Sequence, residues 1–390
     1  MIIELFKSSN RKRLVLKQGR ERAVANRHPW IFGGAIASES GPDDAAFADL
    51  VDARGNVLAS GFHSKRSQIR LRVLTFGDAA LTPELIRERI AASIARRDSI
   101  FDEGTTAARI VNAEGDDVSG LVVDRYDDLD VIEIANWGVE QIRELIVEAV
   151  GGREVFFKND LPVRKIEGLS SESAGGGAGA TLRTISESGL RFEIDAGGGQ
   201  KTGFFLDQRE NRRLARSLAN GRRVLNLFSY SGAFGVYAAA GGAASIINVD
   251  VSDKAIAQAR RNHEINGFDA DFVVADAFDW VRKARDRYDL VVCDPPAFAK
   301  SRADVDRAAR GYKDINLYAL KLVESGGHLM TFSCSGHMSL DLFQKVIFSA
   351  AHDAGRSVAF VRRLTAAPDH PVSLYCPEGE YLKGFLLEVR

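Results

Sequence analysis

The sequence predicts an α/β protein. Its carboxy-terminal half reads as a doubly wound sheet, preceded by a central α+β unit and an amino-terminal β-rich unit. Three observations carry this. From Arg223 onward, short apolar runs alternate with stretches of helical spacing, the signature of strand–helix–strand crossovers. Two of those runs, L-V-V-C-D-P-P-A-F at Leu290–Phe298 and L-M-T-F-S-C-S-G-H-M at Leu329–Met338, stop abruptly in residues that cannot continue a sheet. At 390 residues the chain exceeds one ordinary core, so two or three domains are expected. The expected boundaries are 1–78, 79–195 and 196–390.

Composition narrows the class. Hydrophobic content of 45% and charged content of 27% are those of a soluble globular chain. Net charge is only −1, yet the first eighty residues hold thirteen Lys/Arg against eight Asp/Glu, so the surplus of five sits at one end. That asymmetry fits a nucleic-acid contact made mainly by the amino-terminal unit, with an unevenly solvated surface as the alternative. Three cysteines, Cys293, Cys334 and Cys376, form no CxxC and no His-paired spacing. No metal site is therefore expected. With no signal sequence and no apolar run of about twenty residues, a reducing cytoplasm is the expected compartment.

Leu14–Leu16 begins a strand. Next comes G-R-E-R-A-V-A-N-R-H-P-W-I-F, where Arg20, Arg22, Arg27 and His28 could meet phosphates beside Trp30 and Phe32. Core burial is the expected fate of these two aromatics. Lys65 and Arg66 are further candidate RNA contacts. Asp49–Ala59 and Ser67–Leu74 read as strands, the latter with Arg70 and Arg72 on the face away from Ile69, Leu71 and Val73. Thr82 starts a helix with Pro83 at its first position. A second helix is expected at about Val139–Val150. Ser171–Ala180, S-E-S-A-G-G-G-A-G-A, reads as a flexible insertion in the central unit.

In the last third, Val224–Phe228 and Ser245–Asp250 are strands. Ala233–Ala240 and Asp253–Asn266 are helices, the second capped by Ser252. The first strand ends N-L-F-S-Y-S-G-A-F-G, where Gly232 would let backbone pass close to a ligand. A dinucleotide fingerprint is absent, since Tyr230 stands where its first glycine belongs. Asp250, Asp276 and Asp294 close successive strands, where a doubly wound sheet binds ligands. Asp250 suits ribose hydroxyls, and Asp276 suits an adenine amino group. A helix cap or turn is the alternative for each.

These motifs, with G-F-F-L-D-Q-R-E-N-R, R-G-Y-K-D-I-N and T-F-S-C-S-G, resemble the large-subunit ribosomal RNA methyltransferase I family. The resemblance reaches the amino-terminal stretch, which is similar to that family's PUA domain. It implies a Rossmann-like class I methyltransferase sheet that uses S-adenosyl-L-methionine and forms 5-methylcytidine in 23S ribosomal RNA. It implies that Phe228, Ser229 and Gly232 form the cofactor loop, with Asp250, Asp276, Asp294 and Pro295 around it. Asp207, Gln208 and Arg209 would close the site, a solvated helix-start charge being the alternative for Arg209. The resemblance also suggests a homodimer.

Carbon 5 of cytosine is too weak a nucleophile to take a methyl group unaided. A thiolate adding to carbon 6 turns carbon 5 into an enamine-like nucleophile. Cys334 is the expected nucleophile, and Asp294 the group favouring a proton at ring nitrogen 3. Cys293 points opposite to Asp294 in strand alternation and reads as core. Many RNA cytosine methyltransferases carry a second cysteine three residues after the aspartate. Here that residue is Ala297, so the base that removes the carbon 5 proton is unassigned. The rival readings are an amino-methyltransferase acting on a purine, a non-catalytic RNA-binding scaffold and, least favoured, a dinucleotide-dependent oxidoreductase.

Overall fold

The computed structural model describes residues 2–174, 181–299 and 301–390. Its contacts divide the chain into two compact units. One comprises Met1–Ile185, Ile194–Phe204 and Asp369–Gly379, and the other Ser186–Glu193, Phe205–Pro368 and Glu380–Arg390.

The first unit contains two sheets. A six-stranded sheet runs, in spatial order, Trp30–Phe32, Ile69–Phe76, Val57–His63, Phe47–Val51, Lys12–Leu16 and Ile36–Ser40. A five-stranded sheet runs Glu172–Ala174, Glu154–Asn159, Leu129–Ile134, Leu121–Tyr126 and Ala107–Asn112. One core that includes Phe47, Phe62, Ile86, Ile110, Ile132 and Leu145 packs both sheets against the helix Pro83–Arg96. Thr82 caps that helix by accepting from the Leu85 N–H, as its sequence predicts.

Several expectations for this unit are corrected. Asp49–Ala59 is not one strand, because Asp52 accepts from the amides of Arg54 and Asn56 and folds a turn between Phe47–Val51 and Val57–His63. Arg72, on the face away from Leu71 and Val73, is buried in an ion pair with Glu167 at 3.1 Å, so both faces of that strand are covered there. Phe32 is 47% exposed rather than core. The helix expected at 139–150 is two, Trp137–Glu140 and Arg143–Val150. The expected loop 171–180 begins with a strand, Glu172–Ala174, paired antiparallel to Glu154–Asn159. Its residues 175–180 lie outside those described.

The segment Asp369–Gly379 is held in the first unit by buried polar groups. Arg97 forms a two-pronged pair with Asp116 at 2.8 and 2.6 Å and donates to the Asp369 carbonyl at 3.0 Å. The Asp369 carboxylate accepts the Arg109 N–H, and Asn112 donates to the Pro371 carbonyl. A buried guanidinium persists only with its lone-pair partners in place, and this one has them.

The second unit is a seven-stranded sheet: β1 Arg223–Leu227, β2 Ser245–Asp250, β3 Asp271–Val274, β4 Tyr288–Cys293, β5 Val323–Ser333, β6 Val358–Thr365 and β7 Lys383–Val389. Their spatial order is β3-β2-β1-β4-β5-β7-β6, with β7 antiparallel to both neighbours and the first five parallel. The helices are α1 Arg209–Leu218, α2 Ala233–Ala240, α3 Asp253–Glu264, α4 Ala277–Lys283, α5 Val305–Leu322 and α6 Leu340–Ala354. Apolar clusters cover both faces: Leu225, Val291, Leu329 and Phe385 on one, Val224, Leu290, Met330 and Leu386 on the other. That double burial is why Leu290–Cys293 of β4 reads as an unbroken apolar run. Ser252 caps α3 through the Ala255 N–H, as expected.

Candidate active site

The carboxyl ends of β1, β2, β4 and β5 carry the residues singled out in the sequence. The β1–α2 loop holds three left-handed residues, Phe228 at φ 57°, Tyr230 at φ 45° and Gly232 at φ 72°. Tyr230 thus takes the turn a glycine would take. It is held there by its N–H to Asp250 Oδ2 at 2.9 Å and by its ring edge-on to Phe205. Packing gives Gly232 a reason of its own. A Cβ there would lie 2.7 Å from Ala259 Cβ on α3, so helix packing as well as its positive φ excludes a side chain.

Asp250 closes β2, its two oxygens accepting from the amides of Tyr230 and Ser252. Asp276 is the N-cap of α4, Oδ1 accepting from Phe278 and Asp279 N–H. Phe228 meets Phe278 edge-on at 6.1 Å, Phe278 packs on Phe298 at 5.9 Å, and Phe298 on Tyr312 at 4.5 Å. An aromatic series therefore links the β1 loop to the segment after Asp294. Within the loop, the Ser229 hydroxyl is buried and has no hydrogen-bond partner among the described residues. A buried hydroxyl without a partner is costly unless a ligand supplies one. With the acid at the end of β2, this donor set fits a nucleoside cofactor.

Before α1, Gln208 Nε2 donates to Asp294 Oδ2 at 2.9 Å, and Asn211 donates to Gln208 Oε1. Asp207 is buried and accepts from the Tyr381 hydroxyl at 2.5 Å. Arg209 is buried rather than solvated. Its guanidinium lies 3.4 Å from Glu187, a carboxylate that also takes a two-pronged bond from Arg212 at 2.8 Å.

Asp294 and Cys334 stand at the ends of adjacent strands, β4 and β5. Cys334 is half-buried, and its Sγ donates to the Pro295 carbonyl at 3.9 Å. The next residue ties the two loops together: Ser335 Oγ accepts from the Ala299 N–H at 3.1 Å and shares a hydrogen bond with the Tyr312 hydroxyl at 3.0 Å. Lys383, opening β7, is buried and donates from Nζ to the Ser335 carbonyl at 2.8 Å. Burial pulls its pKa below the ordinary lysine value, and the neighbouring Cys334 opposes that shift. Lys383 is not among the residues singled out from the sequence. The available signal was a lone cation in the otherwise apolar run L-K-G-F-L-L. Cys293 is fully buried, its thiol pushed up first by desolvation and then by Asp294.

Arg20, Arg22, Arg27, Lys65 and Arg66 are all exposed. Among the described residues, Arg27 alone of these makes ring contacts, over Phe76 and Tyr375. Trp30 is half-buried and donates from Nε1 to Glu114 at 2.9 Å. A trio invisible to sequence spacing also forms: the side-chain donor atoms of His28, Cys376 and Glu378 lie within 4.8 Å of one another. His28 Nδ1 accepts the Trp30 N–H at 3.1 Å, and its Nε2 lies 3.4 Å from Glu378. Burial, with Glu114 and Glu378 nearby, pushes the Cys376 thiol up to about 12.

The sheet order and the loops at its carboxyl edge define a class I methyltransferase dependent on S-adenosylmethionine. A family profile described as S-adenosylmethionine-dependent methyltransferase matches residues 155–379, and one for a PUA-like domain matches residues 14–76. The chain is 43% identical to a ribosomal RNA large subunit methyltransferase I of Shewanella denitrificans and 41% identical to that of Photobacterium profundum. Each match covers 97% of this chain and 99% of the relative. The chain belongs to the ribosomal RNA large subunit methyltransferase I family. Among solved structures it is similar to SMU.776, classed as a methyltransferase and complexed with SAH, with a TM-score of 0.84 and 25% identity over 97% of this chain and all of the other. A SAM-dependent methyltransferase from Streptococcus mutans shares the fold at a TM-score of 0.82 and 24% identity, over 97% of this chain and all of that one. No helix among the described residues is long and apolar enough to cross a membrane.

Proposed function

We propose that this protein methylates carbon 5 of a cytidine in large-subunit ribosomal RNA, through a covalent adduct between Cys334 and carbon 6. The observation that carries the reading is the Cys334 thiol against the Pro295 carbonyl, one residue from Asp294. A sulfhydryl and a carboxylate thus close two adjacent strands. The names of the relatives support ribosomal RNA as the substrate.

S-adenosylmethionine, when bound, supplies an electrophilic methyl group on a cationic sulfur. Phe228, Ser229, Gly232, Asp250, Asp276 and Pro295 are the residues proposed to hold it, with Asp207 and Gln208 closing the site. On the chain's side, the Cys334 thiolate adds its electron pair to carbon 6, and the ring's electrons move toward carbon 5 and nitrogen 3. Asp294, held by Gln208, keeps a proton at nitrogen 3 so that this charge is neutralised. Lys383 supplies a positive charge that favours the thiolate. After methylation, loss of the carbon 5 proton restores the double bond and expels the thiolate. Exposed Arg20, Arg22, Arg27, Lys65 and Arg66 are proposed to neutralise RNA phosphates.

The test is incubation with labelled cofactor and ribosomal RNA lacking the modification, followed by nucleoside mass spectrometry. Labelled 5-methylcytidine is expected, and a labelled methyladenosine or methylguanosine would overturn the reading. RNA carrying 5-fluorocytidine should trap the wild-type protein covalently and leave Cys334→Ala untrapped.

A further inference from the structure

A cavity of about 460 Å³ opens in the first unit, lined only by residues of that unit. Val73, Phe76 and Leu85 give it apolar walls, and Ala79 and Ala80 form an exposed rim. Its polar features are unequal. Arg89 is committed, donating to the carbonyls of Asp117 at 2.7 Å and Leu74 at 2.6 Å. Glu114 is committed as well, accepting from Trp30 Nε1 and the Ser119 hydroxyl. Two groups are not. The Thr75 hydroxyl, on a residue only 6% exposed, has no hydrogen-bond partner among the described residues. The Arg27 guanidinium has no carboxylate partner among them either. It lies 5.1 Å from the centre of the Phe76 ring and 5.9 Å from that of Tyr375, itself 52% exposed.

We propose that this cavity receives one unstacked nucleotide of single-stranded RNA, an inference that rests on the RNA-substrate reading above. The chemistry is that of an extruded base. Apolar walls accept its faces, a buried hydroxyl without a partner reads its polar edge, and an exposed aromatic with an uncommitted cation flanks the base and its phosphate. Such a slot is of ligand size and combines apolar lining with a few convergent polar groups. Arg27 holds a left-handed backbone, φ 57°, and its guanidinium lies over the rings of Phe76 and Tyr375 at the cavity. The PUA-like stretch, residues 14–76, contributes Arg27, Val73, Thr75 and Phe76, while Tyr375 comes from the segment Asp369–Gly379.

The experiment uses the full chain and a fluorescently labelled single-stranded RNA oligonucleotide, with a duplex of the same sequence as control. Ala80→Trp fills the slot from its exposed rim, and Tyr375→Ala removes the flanking ring. Each should raise the Kd for single-stranded RNA by about tenfold or more and the duplex Kd by much less. Thr75→Val should change which base is preferred without abolishing binding. Cofactor affinity by calorimetry and the thermal midpoint should match wild type, which separates a lost subsite from a lost fold. If both Ala80→Trp and Tyr375→Ala bind single-stranded RNA as wild type does, the proposal is overturned and the cavity serves another occupant. If the wild-type chain binds neither RNA, the substrate reading falls first and this proposal with it.

Discussion

Lys383 Nζ donates to the Ser335 carbonyl at 2.8 Å and thereby holds an ammonium group next to Cys334. Lys383→Met should slow adduct formation with 5-fluorocytidine RNA by about a hundredfold while cofactor affinity stays unchanged. Lys383→Arg should restore part of the rate. Because burial lowers the Lys383 pKa, its charge is lost on the alkaline side sooner than for an ordinary lysine. The wild-type rate should therefore fall on an alkaline limb that the methionine variant lacks, and stopped-flow measurement across pH checks this.

Cys293 and Cys334 should respond oppositely to truncation. Cys293→Ala removes a buried core atom, so stability should fall by about 1–2 kcal/mol while covalent trapping persists. Chemical denaturation and gel-shift trapping of the same preparation check both halves.

Gly232→Ala should destabilise the protein by about 1–3 kcal/mol, through its positive φ and its approach to Ala259. Cofactor affinity should drop, since the β1 loop must move. Adding Ala259→Gly should recover part of the loss by removing the facing methyl group, as read by thermal midpoint and calorimetry.

Glu133, on the strand Leu129–Ile134, has its carboxyl pushed up from 4.5 to about 7 by burial, with Arg109 opposing. Between those values the folded chain holds a proton that the unfolded chain has released, so stability falls as pH rises through that window. Glu133→Gln should therefore stabilise the protein at pH 8 by about 2 kcal/mol, and the gain should fade toward pH 5. Thermal unfolding of both proteins at the two pH values checks it.

What was legible in the sequence was mostly local. Double burial made the carboxyl-terminal parts of β4 and β5, Leu290–Cys293 and Leu329–Phe332, largely apolar, and Ser252 and Thr82 announced their helices because an N-cap depends on residues three apart. The acids ending successive strands were readable for the same reason. Long-range partnerships were not. Nothing near Arg72 in the sequence announces its buried partner Glu167, and nothing near Arg209 announces Glu187. Likewise, nothing near Cys376 in sequence points to His28.

The backbone passes from one unit to the other at residues 185, 193, 204, 368 and 379, and β7 returns from the last passage to lie between β5 and β6. No single scission can therefore yield two self-sufficient fragments. A methyltransferase half expressed alone would carry eleven orphaned residues, 369–379, in the connection that delivers Lys383. The complementary half would leave the Arg97–Asp116 pair without its Asp369 lid. Engineers grafting a new RNA-recognition module onto this catalyst would have to splice at several points at once.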